Sequence, residues 1–287
     1  MNIIKGTIYS ILTIICFIIL SHFLLILFAD SYRFIFNKKD KINANVAEVS
    51  RLDLYNTINW SEEFFSEYSL LSQNYRSFIG WRTKEFKGNQ INIDNENNRY
   101  TLYMGDNNDE TKNLFFGGSV TWGYGNNDSI TIPSHYSLIS KEKSKNLGER
   151  SWILDQDLAY LIQQYNQSKI FSNVFFIFGI NDIYIKCLSG NLFAHGEEEK
   201  IRNQLNKKII DPASFENFFS FFKKYYLILK IRISSLKSGK KSNSLDFNYC
   251  KDKDYANLVA DNIIKNINNS KKIVHFNNNN FYAVLQP

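Results

Sequence analysis

The sequence predicts an α/β protein built on a doubly wound parallel sheet and carried behind one amino-terminal transmembrane helix. Three observations carry this reading. Two short continuous apolar runs, Leu114-Phe115-Phe116 and Val174 to Phe178, each stop at a glycine-containing turn, as buried parallel strands do. Segments with apolar residues at helical spacing lie between and after these runs, giving the strand and helix alternation of an α/β sheet. Residues 8–29 contain no charged side chain.

As a helix that run would be about 33 Å long at about 1.5 Å per residue, enough to cross a bilayer. A secretory leader would have a shorter apolar core and a small-residue exit, for which Leu27 and Ala29 are a poor match. The expectation is an uncleaved single-pass anchor at 8–29 behind a short tail, 1–7. His22 within it reads as a neutral, locally hydrogen-bonded imidazole. Lys5 lies on one side of the run, and Arg33, Lys38, Lys39 and Lys41 on the other. That bias places the following domain in the cytoplasm, whereas the chemistry below favours the extracytoplasmic side, so both stay open.

Residues 30–60 form a polar connector. Residues 61–112 read as an extension packed on the main domain, with Phe64, Phe65, Tyr68 and Leu71 at helical spacing and Ile91 and Ile93 alternating with Asn92 and Asp94 as in a short strand. The main domain, 113–287, opens with the strand that ends in Gly117-Gly118-Ser119. Ile132-Pro133 starts a helix that runs through Ser140. Asn146-Leu147-Gly148 makes a turn, and Asp155 to Tyr165 is a helix with Leu158, Leu161 and Ile162 on one face. The second buried strand closes in Gly179-Ile180-Asn181-Asp182. A mostly helical insertion occupies about 191–265, with aromatic residues from Phe215 to Tyr226, and Phe281 to Leu285 is expected as a further buried strand. Ligands of such sheets sit beyond the carboxyl ends of the strands, where both glycine turns fall.

Composition excludes several functions. Net charge is +6, half of it from residues 1–41, and no basic face is evident, so nucleic acid is not the expected partner. The three cysteines are far apart and Cys16 lies in the apolar run, which leaves at most one intramolecular disulfide. No C-x-x-C or H-x-x-x-H occurs, and neither a phosphate loop nor Gly-x-Gly-x-x-Gly is present, so no metal and no cofactor is expected.

Ser119 follows two glycines at a strand end, where its hydroxyl can face a cleft and serve as a nucleophile; a helix-capping serine is the competing reading. The Gly-x-Ser-x-Gly elbow of the α/β-hydrolases is not met, because Thr121 stands where glycine is needed. Taken together and in order, Phe116-Gly117-Gly118-Ser119-Val120-Thr121-Trp122-Gly123-Tyr124-Gly125, Asn146-Leu147-Gly148 and Phe178-Gly179-Ile180-Asn181-Asp182 resemble the first three blocks of the SGNH (GDSL-type) hydrolase family. The resemblance extends from about Trp81 to the end, including Trp81-Arg82, Ile91 to Asp94 and Leu285-Gln286-Pro287.

The resemblance implies a flavodoxin-like three-layer fold and an esterase, or an acyl-group hydrolase or transferase. The substrate would be an acyl ester of a small molecule or carbohydrate, such as an envelope glycan. Ser119 would be the nucleophile. The backbone N–H groups of Ser119 and Gly148 and the side-chain amide of Asn181 would hold the oxyanion, and Asp182 would hold its turn. The family places its general base in an Asp-x-x-His block one strand later, and no such block follows Leu285. The sheet is therefore expected to be incomplete at its carboxyl-terminal edge, poorly soluble and catalytically impaired. A non-catalytic, membrane-tethered binding or scaffold protein of this fold is the second expectation. His195 is the one histidine expected at the correct end of the sheet to substitute; His275 falls at the far end, and His135 on the helix after Ser119.

Overall fold

The computed structural model describes residues 54–55, 57–106, 109–167, 169–193, 195–196 and 248–286, with four isolated helical positions before them, Thr13, Cys16, Phe17 and Leu20. Apart from those four positions the span expected at 8–29 lies outside the described residues, as does most of the insertion expected at 191–265. Among the described residues no helix is long and apolar enough to cross a membrane.

The described chain divides into two compact units. The first contains residues 54–72, 86–91 and 125–127. Its helix α1, Ser61–Leu70, buries Phe64 and Phe65 edge-to-face at 5.1 Å. Glu67 on α1 accepts the backbone N–H groups of Asn89, Gln90 and Ile91 at 2.6, 3.0 and 2.9 Å, which fixes that loop.

The second unit holds everything else, including 73–85 and 92–112, which belong to the α/β body. It opens with an antiparallel hairpin, β1 (Gln73–Arg76) and β2 (Gly80–Thr83). Omitting the two-residue strand at Phe86–Lys87, the chain continues with β3 (Asn92–Ile93), β4 (Asn113–Gly117), the one-turn helix α2 (Ser119–Trp122), α3 (Ile132–Ser140) and β5 (Ser144–Asn146). Then follow α4 (Leu154–Asn166), β6 (Asn173–Phe178), α5 (Ile180–Ser189), α6 (Lys253–Phe276) and β7 (Asn280–Leu285). Strands β5, β4, β6 and β7 pair in that order, all parallel. Numbered along the chain the order is 2-1-3-4, compatible with a flavodoxin-like fold.

Local chemistry explains the helices. Thr131 caps α3 by accepting the Ser134 N–H, and Pro133 occupies its first turn, where no N–H is needed. Asp155 and Asp157 lie in the first turn of α4, favourable to the helix dipole. Asp252 caps α6 through the Asp254 N–H. On α6, Val259, Ile263, Ile267, Ser270 and Val274 recur at helical spacing and make its inward stripe.

Aromatic and aliphatic side chains pack on both faces of the sheet, less completely at β7, where Tyr282 and Val284 stay exposed. Leu114, Phe116, Val174, Phe176 and Phe281 pack with Tyr160 and Leu161 of α4 and Val274 of α6. On the other face Phe115, Phe175 and Tyr282 occupy one rung of three neighbouring strands and stack at 4.4 and 4.6 Å, with Tyr136 of α3 against the first two. Such pairs add about 0.5–1.5 kcal/mol beyond their buried area.

Two expectations are corrected. The strand near the carboxyl end, β7, is not buried: it is the sheet edge, and only Phe281 and Gln286 of 280–286 are half-buried. A strand also precedes the turn at Gly148, because Ser144-Lys145-Asn146 lies at the opposite edge, where pairing is supplied by β4 and no apolar run is required.

Candidate active site at the carboxyl ends of the strands

Strand β4 ends at Gly117, whose φ of +146° favours glycine and whose added Cβ would lie 2.3 Å from the Ile177 carbonyl oxygen. Gly118 is the cap residue of α2, and Ser119 is the first residue inside it. The competing capping role for Ser119 is thus not the one observed. Its hydroxyl makes no hydrogen bond among the described residues, it is half-buried, and as a first-turn residue its N–H has no intrahelical acceptor. Gly123, in the left-handed region, closes the turn by donating to the Ser119 carbonyl at 2.9 Å.

Asn181 stands at the start of α5, after β6. Its Nδ2 donates to the Trp152 carbonyl at 2.9 Å and lies 2.4 Å from where a Cβ on Gly118 would be. The amide therefore rests on the backbone beside Ser119, a contact that only glycine at 118 permits. The neighbouring Asp182 accepts the Leu154 N–H at 2.8 Å and the Gly179 N–H at 3.4 Å, so it does hold its turn. Burial pushes its carboxyl up to about 6.

Gly148 follows β5 and packs on α2 from the other side: a Cβ there would lie 2.7 Å from the Trp122 backbone nitrogen. Its N–H donates to Asn146 Oδ1 at 3.1 Å, while Asn146 Nδ2 donates to the Thr121 carbonyl at 2.9 Å. The structure thus brings Gly148 and Asn181 to opposite ends of the one helical turn that carries Ser119. The Gly148 N–H is engaged by a side chain and would have to exchange that acceptor for a substrate oxygen.

His195 does not join them. Its ring packs on Trp81 at 5.1 Å, beside Gly80, and makes no hydrogen bond to Ser119. His135 is exposed on α3, and His275 lies in the last turn of α6, at the amino end of the strands. Among the described residues no group of three or more His, Cys, Asp or Glu side chains could hold a metal.

Sequence reasoning missed the residues that hold these loops. Arg82 of β2 is buried and donates to the carbonyls of Leu147 and Gly148 at 2.7 and 3.0 Å and to Asn97 at 2.9 Å. Buried Glu149 accepts the Thr83 N–H and hydroxyl, and its own N–H donates to Gly117 at 2.9 Å, tying the loops after β4 and β5 together. Arg99 pairs with Asp128 at 2.9 Å and donates to the carbonyls of Trp122 and Gly123. Asp157 of α4 is buried beneath the serine turn and accepts the Gly117 N–H. Burial, then the neighbouring Asp182, push its carboxyl well above the usual range. The available signal for Asp157 is its place on the stripe Leu154, Asp157, Leu161, Gln164, the inward face of α4.

A disulfide joins Cys187 of α5 to Cys250, just before α6. No protein-family model matches this chain, and neither does any of the curated proteins with which it was compared.

Proposed function

We propose that this chain is a membrane-anchored ester hydrolase of the SGNH (GDSL-type) kind, with a flavodoxin-like three-layer domain acting on an acyl ester of a small molecule or carbohydrate. The observation that carries the reading is the convergence on α2: a serine without a hydrogen-bond partner at a strand end, a side-chain amide against the preceding glycine, and a glycine loop packed on the same turn. In this reading the Ser119 oxygen attacks the ester carbonyl as its proton passes to water, the ester C–O bond breaks to release the alcohol, and a water molecule then frees the acyl group from Ser119 as the acid. The Ser119 N–H and Asn181 Nδ2 receive the negative charge that develops on the carbonyl oxygen, joined by the Gly148 N–H once it leaves Asn146.

Removing the base of a serine triad costs several decades of rate, while oxyanion donors and binding alone retain about three over water. With His195 on Trp81, turnover is expected to be slow. The disulfide supports the extracytoplasmic side over the one indicated by flanking charge, because such bonds persist in oxidising compartments.

The engaged Gly148 N–H and the position of His195 favour one second reading, a tethered binding protein of this fold without chemistry. The two separate on labelling of the full chain with a fluorophosphonate, compared with Ser119→Ala. Slow labelling that the substitution abolishes is expected for the hydrolase. Equal labelling of both proteins would overturn it in favour of the binding protein.

A further inference from the structure

In a parallel sheet every crossover helix ends at the amino ends of the strands, the side opposite Ser119. The residues just ahead of the strands form one continuous row there: Lys112 donates its N–H to the Lys143 carbonyl, Ser172 to Lys112, and Asn280 to Ser172. This rim carries three strongly exposed apolar side chains, Ile139 at the end of α3, Ile170 before β6 and Phe276 at the end of α6, at 83, 75 and 86 % exposure. Exposed apolar side chains occur elsewhere too, Phe78 and Met104 among them, so it is the charge around these three that sets the rim apart.

Lysines lie near each of them in sequence, and the rim also carries Glu142, which accepts from Asn113. Lys112 and Lys169 are matched by Glu110 and Glu96. Lys141, Lys271 and Lys272 are exposed and have no carboxylate partner among the described residues. Asn268, Lys271, Lys272, His275 and Phe276 line a surface cavity of about 580 Å³. Their spacing places them on one outward stripe of α6, away from the inward stripe that contains Ser270 and Val274.

We propose that this amino-end rim docks on an anionic bilayer surface, with Phe276, Ile139 and Ile170 entering the headgroup boundary and Lys141, Lys271 and Lys272 meeting lipid phosphates. Apolar prongs among unmatched cations have the complementarity of a peripheral membrane face. The charge-free run at 8–29 supplies the means of keeping such a surface close. The consequence is an orientation: the Ser119 end points away from the lipid. The inference needs no ester chemistry and stands or falls apart from it.

The test uses the full chain with a Phe276→Trp reporter, mixed with vesicles whose acyl chains carry bromine, a contact quencher of tryptophan. In vesicles of phosphatidylcholine with phosphatidylglycerol the reporter chain is expected to lose more emission than the parent chain, and in phosphatidylcholine alone it is not. Each lysine near such a surface contributes about a fivefold gain in affinity, so adding Lys271→Glu and Lys272→Glu, which leave the run at 8–29 intact, should lower the ratio of docked to undocked rim by about 25-fold or more, read as loss of most of the reporter's extra quenching. An Ile139→Trp reporter repeats the measurement from a second element. Reporters quenched no more than the parent chain, as when the rim is covered by protein or nucleic acid instead, would overturn the proposal. So would quenching that is indifferent to the lysine substitutions.

Discussion

Replacing Asp182 by asparagine should remove a specific component of the pH dependence of stability. The carboxyl is 2 % exposed and burial raises it from 3.8 to about 6. Folding therefore makes this group hold its proton more tightly. Between about pH 4 and about pH 6 the folded chain binds more protons than the unfolded one, so unfolding free energy falls as pH rises. Full stabilisation is present below about pH 4 and gone above about pH 6. A shift of about two units at about 1.4 kcal/mol each amounts to about 3 kcal/mol. Asparagine keeps an oxygen for the Leu154 N–H and has no proton to lose. Urea unfolding followed by tryptophan fluorescence, at intervals between about pH 4 and pH 7, should show Asp182→Asn gaining about 3 kcal/mol on the parent chain across that window. Asp157 titrates in the same direction in both proteins and leaves much of the difference intact. A constant difference in stability at every pH would refute the linkage.

Gly118→Ala should cost about 1–3 kcal/mol, read as a lower melting temperature, because the new Cβ displaces the Asn181 amide from its place 2.4 Å away. Asn181→Ala removes the obstacle, so Gly118→Ala made in that background should cost much less; an equal cost in both backgrounds would mean the two residues do not touch. Cys250→Ser opens a loop of 63 residues and should destabilise the chain by about 4 kcal/mol, an effect that reductant reproduces in the parent chain. Coincident melting of oxidised and reduced parent chain would rule the bond out as a stabiliser.

The parts of this fold written in apolar patterns were readable from the residues. Strands β4 and β6 and helices α3 and α4 lie within about a residue of where runs and helical spacing place them, because hydrophobic burial is what forms them. Strand β5 was not readable: Ser144-Lys145-Asn146 is extended because β4 offers it a ladder, and nothing apolar marks it. The exposure of β7 is hidden in the sequence for a related reason, since Phe281 to Leu285 has the same apolar pattern in a sheet centre as at an edge. Ser119 stands out by the glycines and strand end before it, whereas Gly148 and Asn181 enter as site residues only through the resemblance of the three ordered blocks. Arg82, Glu149, Asp157 and Arg99 were not legible, because buried charges are indistinguishable in one sequence from solvated ones until their partners, often tens of residues away, are in place. The pairing of Cys187 with Cys250 depends on the same long-range placement.

The guanidinium of Arg82 reaches from the early hairpin to the two carbonyls that shape the Gly148 loop. The hairpin is thereby a strut for the Gly148 loop beside Ser119. A shortened gene product begun at the first sheet strand would retain its central layers yet let that loop sag, and changes in the hairpin should masquerade as lesions in the pocket itself.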